Sequence, residues 1–197
     1  VKGKWWSTII WEMPILATIS ELMHTLNGDT MKYDAEAEWE KSLQKGRQIW
    51  TNGLTLGDMG TRRRFTFDHQ GRVIDALIQS YAEVCKETGG HCGKFTGTSN
   101  VYFAMKKNIS CLGTMSHQCI SFEEIVSGVF ECNYNVMNKW SEVYDGNVGI
   151  FLYDCFGDRV FFNNLSKRMA MTFCGLRIDS GVEEEQVDMI VEKYKQL

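Results

Sequence analysis

Apolar positions recur mainly at helical spacing, and short continuous apolar runs lie between the helical stretches. Residues 8–26 are apolar nearly all round, which is typical of a helix buried on most sides. Pro14, the only proline, is expected to begin or kink this helix. Asp34 is expected to cap a second helix, which carries large apolar residues on one face and charges on the other.

The next segment predicts a strand followed by a long helix. Leu54–Met59 is predicted to be a short strand, and a helix is expected to start near Thr66. Its apolar stripe is spaced as a core face, and the helix is expected to stop at Gly89 and Gly90.

Two Gly-Thr turns mark the centre of the chain, at residues 97–98 and 113–114. Each follows a short run that predicts a strand, and residues 101–107 can form two turns of helix between them. In parallel α/β sheets, ligands bind beyond the carboxyl ends of the strands. The polar residues at or just beyond these ends are Thr98, Ser99, Asn100 and His117. A histidine placed there can act as a nucleophile or base, or can simply satisfy a carbonyl.

In the last third of the chain, predicted helices and strands again alternate. A capping-box pattern at Ser121 and Glu124 predicts the start of one long helix that runs to Tyr144. Val148–Tyr153 and Thr172–Arg177 are predicted strands, and a final helix follows them. Roughly five strands, mostly separated by helices, predict a parallel α/β arrangement that fits an incomplete barrel better than a closed one.

Composition narrows the class of protein. The 197 residues are 44% hydrophobic, enough for a sizeable core in one domain or one and part of another. A net charge of −4 gives no support to nucleic-acid binding, and no apolar run is long enough to span a membrane. Seven cysteines without a Cys-x-x-Cys pair indicate reduced thiols in a cytoplasmic protein rather than a disulfide framework or a zinc site.

The densest positive charge is the run from Arg62 to Arg64, between the predicted strand and the helix near Thr66. The amino end of that helix adds positive potential, so a carboxylate or a phosphate would be stabilised there. The plain alternative for the run is a surface position or a weak anion patch. For Arg63 and Arg64, contacts to phosphates and simple salt bridges both remain open.

Five sequence blocks, in order, resemble those of the nicotinate phosphoribosyltransferase family. Residues 97–102 and 113–117 resemble its paired Gly-Thr signature, Gly-Thr-Ser-Asn-Val-Tyr and Gly-Thr-Met-Ser-His. The other blocks are residues 60–65, 153–157 and 175–181, and residues 8–17 resemble the family's helix ahead of its barrel. The likeness covers nearly the whole chain.

The resemblance implies a fold and a domain division. The expected fold is α/β, part of an irregular (β/α) barrel of the type II phosphoribosyltransferase kind, preceded by helices. Residues 1–53 would form the helical segment, and residues 54–197 would form the first part of the barrel. The amino- and carboxyl-terminal parts of the family would be missing.

The resemblance also implies a reaction. Nicotinate and phosphoribosyl pyrophosphate would give nicotinate mononucleotide and pyrophosphate in NAD biosynthesis, with ATP hydrolysed through a phosphohistidine. It implies Mg²⁺, ATP as co-substrate, a cytoplasmic homodimer, and neither nucleic acid nor membrane as a partner. The residues implied as catalytic are His117, which would be phosphorylated, Asp154, which would orient its imidazole, and Asp179, which would assist the metal or the ribose hydroxyls. Those implied as substrate-binding are Arg62, Thr98, Ser99, Asn100, Arg177, Ser180 and Gly181; the metal ligands are unknown.

Some alternatives stay open. From the residues alone, helix capping is slightly favoured for Asp154 and Asp179. The amide-using relatives look as if they place an aspartate at position 99, which would repel the carboxylate of nicotinate. Ser99 would instead donate a hydrogen bond, so it favours nicotinate. Departures from the family pattern at Met59, Gln118, Tyr153 and Val182 leave room for an inactive fragment or a non-catalytic ligand-binding relative. A quinolinate-type phosphoribosyltransferase would not explain the block that ends in His117.

Overall fold

A computed structural model describes residues 1–145 and 149–197. The chain divides into two compact units, residues 1–113 and residues 114–197, which are called unit 1 and unit 2 below. The division predicted between residues 53 and 54 stays a prediction.

Unit 1 contains five helices and one parallel pair of strands. In chain order the elements are α1 (Trp5–Thr8), α2 (Glu12–Leu26), α3 (Ala35–Thr51), β1 (Thr55–Asp58), α4 (Phe67–Glu87), β2 (Lys94–Thr98) and α5 (Val101–Lys107). Short 3-10 turns occupy Ile9–Trp11, Asp29–Lys32 and Gly60–Arg63.

Helix ends in unit 1 lie where the sequence predicts them. The Asp34 carboxylate accepts hydrogen bonds from two amides in the first turn of α3, and the Thr66 hydroxyl accepts one from the amide of His69 in α4. Pro14 lies in the first turn of α2, where a missing amide hydrogen costs little. Helix α4 ends at Glu87, ahead of Gly89 and Gly90, both with positive φ.

Helices α3 and α4 pack around the fully buried Trp50. Its indole Nε1 donates a hydrogen bond to the Ser80 hydroxyl over 3.0 Å, which satisfies the one polar atom of the ring. A Cβ at Gly46 would lie 2.2 Å from the Ser80 hydroxyl, so only glycine permits this approach.

The helix predicted over residues 8–26 differs most from expectation. It is broken into α1, a 3-10 turn and α2, and Ala17 is the buried residue of α2, whereas Leu22 and Leu26 are exposed. The prediction of burial on most sides is wrong for unit 1, because α2 packs chiefly along one side, against the turn Gly60–Arg63.

Strands β1 and β2 pair in parallel, with Thr55 opposite Lys94 and Asp58 opposite Thr98. The strand expected before the second Gly-Thr turn is reduced to a single bridge between Thr98 and Cys111. Gly97 has φ +122°, and a Cβ there would lie 2.1 Å from the Ser110 carbonyl oxygen, so glycine is required at this close approach.

Within its described residues, 114–145 and 149–197, unit 2 contains five helices and a second parallel pair of strands. Its elements are α6 (His117–Ser127), α7 (Cys132–Tyr144), β3 (Ile150–Leu152), α8 (Asp158–Asn164), α9 (Lys167–Thr172), β4 (Gly175–Arg177) and α10 (Glu183–Lys195), with a 3-10 turn at Asp154–Phe156. Its core gathers buried side chains from α6, α7, β3 and α8, among them Ile120, Val136, Phe151 and Phe161.

Three element predictions in unit 2 are corrected. The capping box is wrong, because α6 already begins at His117 and Ser121 lies inside it. The long helix is two helices, because Gly128 adopts φ +82° after Ser127. The strand predicted over 172–177 is confined to β4, because Thr172 closes α9.

The fold class is α/β with parallel strand pairing, as predicted. Residues 150–152 form β3 inside the predicted strand 148–153, of which Val148 lies outside the described residues. The strands of the described residues form two separate pairs, so a barrel stays a prediction.

One pair of cysteines contradicts the expectation of reduced thiols. Cys85 and Cys92 are joined by a disulfide, since the turn through Gly89 and Gly90 brings their Cα atoms to 5.6 Å. Within the described residues, no helix is both long enough and apolar enough to cross a membrane.

Candidate functional site

The predicted site residues fall into two groups, one in each unit. The group in unit 1 lies beyond the paired ends of β1 and β2. Thr98 is the last residue of β2, and the Ser99 amide donates to the Asp58 carbonyl oxygen over 2.7 Å. Asn100 caps α5, since its side-chain oxygen accepts a hydrogen bond from the Phe103 amide.

The arginine run is tied to α2 by two ion pairs. The guanidinium of Arg62 lies 2.8 Å from a carboxylate oxygen of Glu12, and that of Arg64 lies 3.0 Å from Glu21. Arg64 also lies over the ring of Phe67. Of the two alternatives for Arg64, the structure therefore contains the salt bridge. Within the described part of the chain no ion pair is seen for Arg63, which is exposed.

A cavity of about 400 Å³ opens beside this group. Met13 and Ala17 of α2 form part of one wall, and Tyr102 of α5 forms part of another. Its polar wall is formed by Thr61, Arg64, Ser99 and Asn100. The cavity thus joins an apolar surface to hydroxyl, amide and guanidinium groups, a combination that suits a small polar ring.

Sequence reasoning missed three residues beneath the group in unit 1. The Asp58 carboxylate accepts hydrogen bonds from the Thr98 hydroxyl over 2.6 Å and from the Gln70 side-chain amide over 3.0 Å. The same amide donates to the Thr61 hydroxyl over 2.9 Å, and Asn100 also donates to that hydroxyl. An acidic residue at the end of a predicted strand was the available signal for Asp58.

In unit 2, His117 lies between two carboxylates. Its Nε2 is 3.5 Å from Oδ1 of Asp154, and its Nδ1 is 3.9 Å from Oδ2 of Asp179. The imidazole side chain is 43% exposed, whereas the Asp154 side chain is only 6% exposed. A nucleophilic ring open to solvent, with a buried carboxylate against one nitrogen, has the arrangement of a base-oriented nucleophile.

The Asp154 carboxylate also organises the loop after β4. Its Oδ2 accepts hydrogen bonds from the Ser180 hydroxyl over 2.6 Å and from the Asp179 amide over 3.2 Å. Its Oδ1 is buried without a hydrogen-bond partner among the described residues. Helix capping is therefore not the role of Asp154, and Val182 occupies the position that would cap α10.

Arg177 completes the polar group of unit 2. It donates to the Thr114 hydroxyl over 2.5 Å and to the Asp179 carboxylate over 2.7 Å. Gly181 has φ +91°, and a Cβ there would lie 2.8 Å from the Gln186 side-chain nitrogen. The structure thus brings together His117, Asp154, Asp179, Arg177 and Ser180 in unit 2, with Gly181 next in the same loop. Thr114 of the second Gly-Thr turn joins them, although the sequence analysis does not name it as a site residue.

Two residues behind His117 belong to the core. Tyr153 is fully buried against Phe161 and Phe162, and burial raises the pKa of its hydroxyl. The Cys155 thiol donates to the His117 carbonyl oxygen, and burial raises its pKa, so it stays protonated at neutral pH. Tyr153 is therefore a core residue and does not line the group around His117.

The donor set limits what metal the protein alone could hold. Among residues 1–145 and 149–197, no group of three His, Cys, Asp or Glu side chains has a geometry suited to a metal ion. A magnesium ion that is held mainly by substrate phosphates needs only one or two protein carboxylates. Asp154 and Asp179 are the carboxylates near His117 that fit this requirement.

Comparison with known proteins gives a consistent result. The model of the nicotinate phosphoribosyltransferase (NAPRTase) family matches residues 54–197. The chain is 33% identical to the nicotinate phosphoribosyltransferase of Methanosarcina mazei, over 98% of this chain and 48% of that protein. It is also 33% identical to that of Chromohalobacter salexigens, over 100% of this chain and 48% of the relative.

A solved structure agrees with these sequences. The crystal structure of nicotinate phosphoribosyltransferase from Porphyromonas gingivalis superposes with a TM-score of 0.85 at 34% identity, covering 98% of this chain and 47% of that one. The chain therefore spans about half the length of these relatives. The chain belongs to the nicotinate phosphoribosyltransferase family.

Proposed function

We propose that this chain carries the nucleophile and part of the nicotinate site of a nicotinate phosphoribosyltransferase that acts in NAD biosynthesis. The reaction joins the ring nitrogen of nicotinate to the anomeric carbon of phosphoribosyl pyrophosphate and releases pyrophosphate. The observation that carries the proposal is the placement of the half-exposed His117 against the buried Asp154 carboxylate.

The histidine supplies the link to ATP. A lone pair on one imidazole nitrogen attacks the γ-phosphorus, the bond to the β–γ bridging oxygen breaks, and ADP leaves. The Asp154 carboxylate faces Nε2 and fixes which nitrogen carries the proton. Water later takes the phosphoryl group from His117 and releases phosphate, which couples ATP hydrolysis to synthesis.

Nicotinate is assigned to the group in unit 1. Its carboxylate would replace that of Glu12 beside the Arg62 guanidinium, and the Ser99 hydroxyl would donate to it. An aspartate at position 99 would repel the same carboxylate. Thr98 and Asn100 contribute the surrounding polar contacts, and the choice of Ser99 makes nicotinate the preferred substrate over nicotinamide.

The phosphoribosyl substrate is assigned to the group in unit 2. Asp179 would meet the ribose hydroxyls or the metal, and Arg177, with Ser180 and Gly181, would meet the phosphates. Positive charge and hydrogen-bond donors stabilise the leaving pyrophosphate as its charge develops. Mg²⁺, with Asp154 and Asp179 as its protein ligands, would neutralise part of that charge.

The remaining parts of the proposal concern the whole protein. We assign the two parallel strand pairs to an irregular (β/α) barrel of the type II phosphoribosyltransferase kind, of which this chain would form only a part. The complete protein acts as a homodimer in the cytoplasm. The second candidate, a non-catalytic relative that only binds ligands, draws its support from the half-length of the match.

The test uses the 197-residue chain with nicotinate, phosphoribosyl pyrophosphate, Mg²⁺ and ATP. We expect nicotinate mononucleotide by chromatography, and an acid-labile phosphate on the protein with γ-labelled ATP. Both should disappear in His117→Asn and persist in His91→Asn, which changes an exposed histidine outside the site. A folded chain that forms neither product nor phosphohistidine would favour the ligand-binding alternative.

Substrate choice has its own test. The ratio of kcat/KM for nicotinate to that for nicotinamide should fall in Ser99→Asp, because a second negative charge would oppose the substrate carboxylate. Comparable rates with both substrates in the unchanged chain would contradict the assignment of Ser99.

A further inference from the structure

Asp58 receives hydrogen bonds from three separate segments of unit 1. Its carboxylate accepts from the Gly60 amide over 3.0 Å, from the Gln70 side chain over 3.0 Å and from the Thr98 hydroxyl over 2.6 Å. These donors belong to the turn Gly60–Arg63, to α4 and to the end of β2. An ionised acceptor makes shorter and stronger hydrogen bonds than a neutral one, so this carboxylate joins the three segments.

Two chains of hydrogen bonds lead from Asp58 to Asn100. In the first, the Thr98 hydroxyl accepts from the Asn100 backbone amide over 3.1 Å. In the second, Gln70 donates to the Thr61 hydroxyl, which also accepts from the Asn100 side-chain amide over 3.1 Å. The backbone and the side chain of Asn100 are therefore both held through the same carboxylate.

Asp58 sets the direction of the hydrogen bonds that it receives from the Thr98 hydroxyl and the Gln70 side chain. An ionised carboxylate can only accept, so the Thr98 hydroxyl and the Gln70 nitrogen must both donate to it. Turning the Gln70 amide over would place its oxygen against a negative charge. Thr61, Gln70 and Thr98 are all buried, so water cannot easily replace a lost partner.

We propose that Asp58 is a positioning residue for the nicotinate-binding group in unit 1. It holds Arg62 in position through the turn Gly60–Arg63. It holds Thr98 and Asn100 in position through the buried hydrogen bonds. The inference rests on the proposed function, because it takes these three residues as substrate contacts. Asp58 itself lies behind them and acts through them.

The decisive variant is Asp58→Asn, with Asp58→Asn/Gln70→Glu as its rescue. The single change keeps the shape but turns one carboxylate oxygen into a donor. At the Oδ2 position this donor faces those of both Thr98 and Gln70, and at the Oδ1 position it faces the Gly60 amide. The double change exchanges donor and acceptor between positions 58 and 70 and conserves the total charge. Asp75→Asn is the matched control, since it removes a carboxylate of α4 that pairs with Lys107 outside the network.

The measurement is amide hydrogen exchange by NMR on the full chain without ligand. In Asp58→Asn, the amides of Asn100 and Phe103 should exchange about tenfold faster, the effect of one unmade buried hydrogen bond. The double variant should restore most of the protection. Asp75→Asn should leave both amides unchanged.

Three results would overturn the positioning role: no change at Asn100, equal acceleration throughout the amides of α3 and α4, or no rescue in the double variant. A nicotinate titration of the same samples separates this inference from the proposed function. If the unchanged chain binds nicotinate, Asp58→Asn should weaken binding and the double variant should recover it. If the unchanged chain fails to bind, the nicotinate assignment fails, while the exchange data still decide what Asp58 holds in place.

Discussion

The two groups of candidate site residues, one in each unit, are held in different ways. In unit 1, the residues assigned to nicotinate lie on a buried network whose bonds among Asp58, Thr98 and Gln70 span 2.6–3.0 Å. In unit 2, the distances from His117 to its carboxylates are 3.5 and 3.9 Å, and its ring is half-exposed. The first group is held by short hydrogen bonds, whereas the proposed nucleophile of the second has an exposed ring at longer distances from its carboxylates.

The difference follows from where the charge is compensated. In unit 1 two of the three arginines of the run have carboxylate partners within the unit, Arg62 in Glu12 and Arg64 in Glu21. In unit 2 one oxygen of the buried Asp154 carboxylate has no hydrogen-bond partner among the described residues. The Nε2 atom of His117 lies 3.5 Å from that oxygen, so a small movement of the ring would provide the partner. The contrast is between short hydrogen bonds around the Asp58 carboxylate in unit 1 and longer distances between the His117 ring and its carboxylates in unit 2.

The largest expected effect concerns the contribution of the core of unit 1 to the free energy of unfolding. Trp50→Ala removes a fully buried indole and should lower the free energy of unfolding by about 3–5 kcal/mol. Urea denaturation followed by circular dichroism measures it. Trp6→Ala, which truncates an exposed tryptophan in α1, is the control and should change little. Equal effects of the two changes would contradict the assigned core.

The second prediction concerns the nucleophile in unit 2. Asp154→Asn should slow phosphorylation of His117 by at least about 100-fold, because the imidazole loses the carboxylate that orients it and stabilises its positive form. Transfer of labelled phosphate from ATP gives the rate. Asp145→Asn, at an exposed position after α7, is the control. An unchanged rate in Asp154→Asn would remove Asp154 from the mechanism.

The third prediction concerns the disulfide in unit 1. Cys85→Ser/Cys92→Ser should lower the free energy of unfolding by about 2 kcal/mol, since the bridge closes a short loop in the unfolded chain. Cys111→Ser, at an exposed free cysteine, is the control. Alkylation and mass spectrometry under non-reducing conditions should find Cys85 and Cys92 blocked, and free thiols at both positions would refute the bridge.

The smallest effect is a pH dependence in unit 1. Burial lowers the pKa of His69, whose Nδ1 lies 2.8 Å from the Tyr33 hydroxyl. A histidine whose pKa is lowered in the folded state binds fewer protons when folded than when unfolded. It therefore lowers the free energy of unfolding at a pH at which the unfolded chain takes up that proton. Above the unfolded pKa of about 6.5, His69 is neutral in both states and does not change the free energy of unfolding. Below it, the free energy of unfolding should fall as the pH drops toward the folded pKa. Denaturation midpoints between pH 7.5 and 5.5 should therefore fall more steeply in the unchanged chain than in His69→Gln, and equal slopes would reject the assignment.

Local signals in the sequence predicted much of the fold correctly. Asp34, Thr66 and the two glycines after α4 mark helix ends because capping and left-handed turns depend on a few neighbouring residues. The helix over residues 101–107 and the strand within 54–59 follow from the same local preferences. The resemblance of the Gly-Thr blocks also located the polar residues at the strand ends, although their roles stay proposals.

Contacts between distant segments account for the misses. The apolar pattern of residues 8–26 predicted burial, but burial depends on which other segments reach the helix, and the turn Gly60–Arg63 lies along one side. The apolar pattern does not reveal the break at Gly128, because the apolar stripe continues across it at helical spacing. The disulfide depended on the path of the turn between Cys85 and Cys92, which spacing alone does not specify.

By itself, the sequence determined the α/β class, the family, most element positions and the candidate residues, because these depend on short-range preferences and on motifs. Only the tertiary structure decided that Asp58 and Gln70 lie beneath Thr98, and that Asp154 faces His117 across 37 residues of chain. Hydrogen-bond partners and burial arise from segments far apart in sequence. Their geometry is therefore fixed by packing and not by any single stretch of residues.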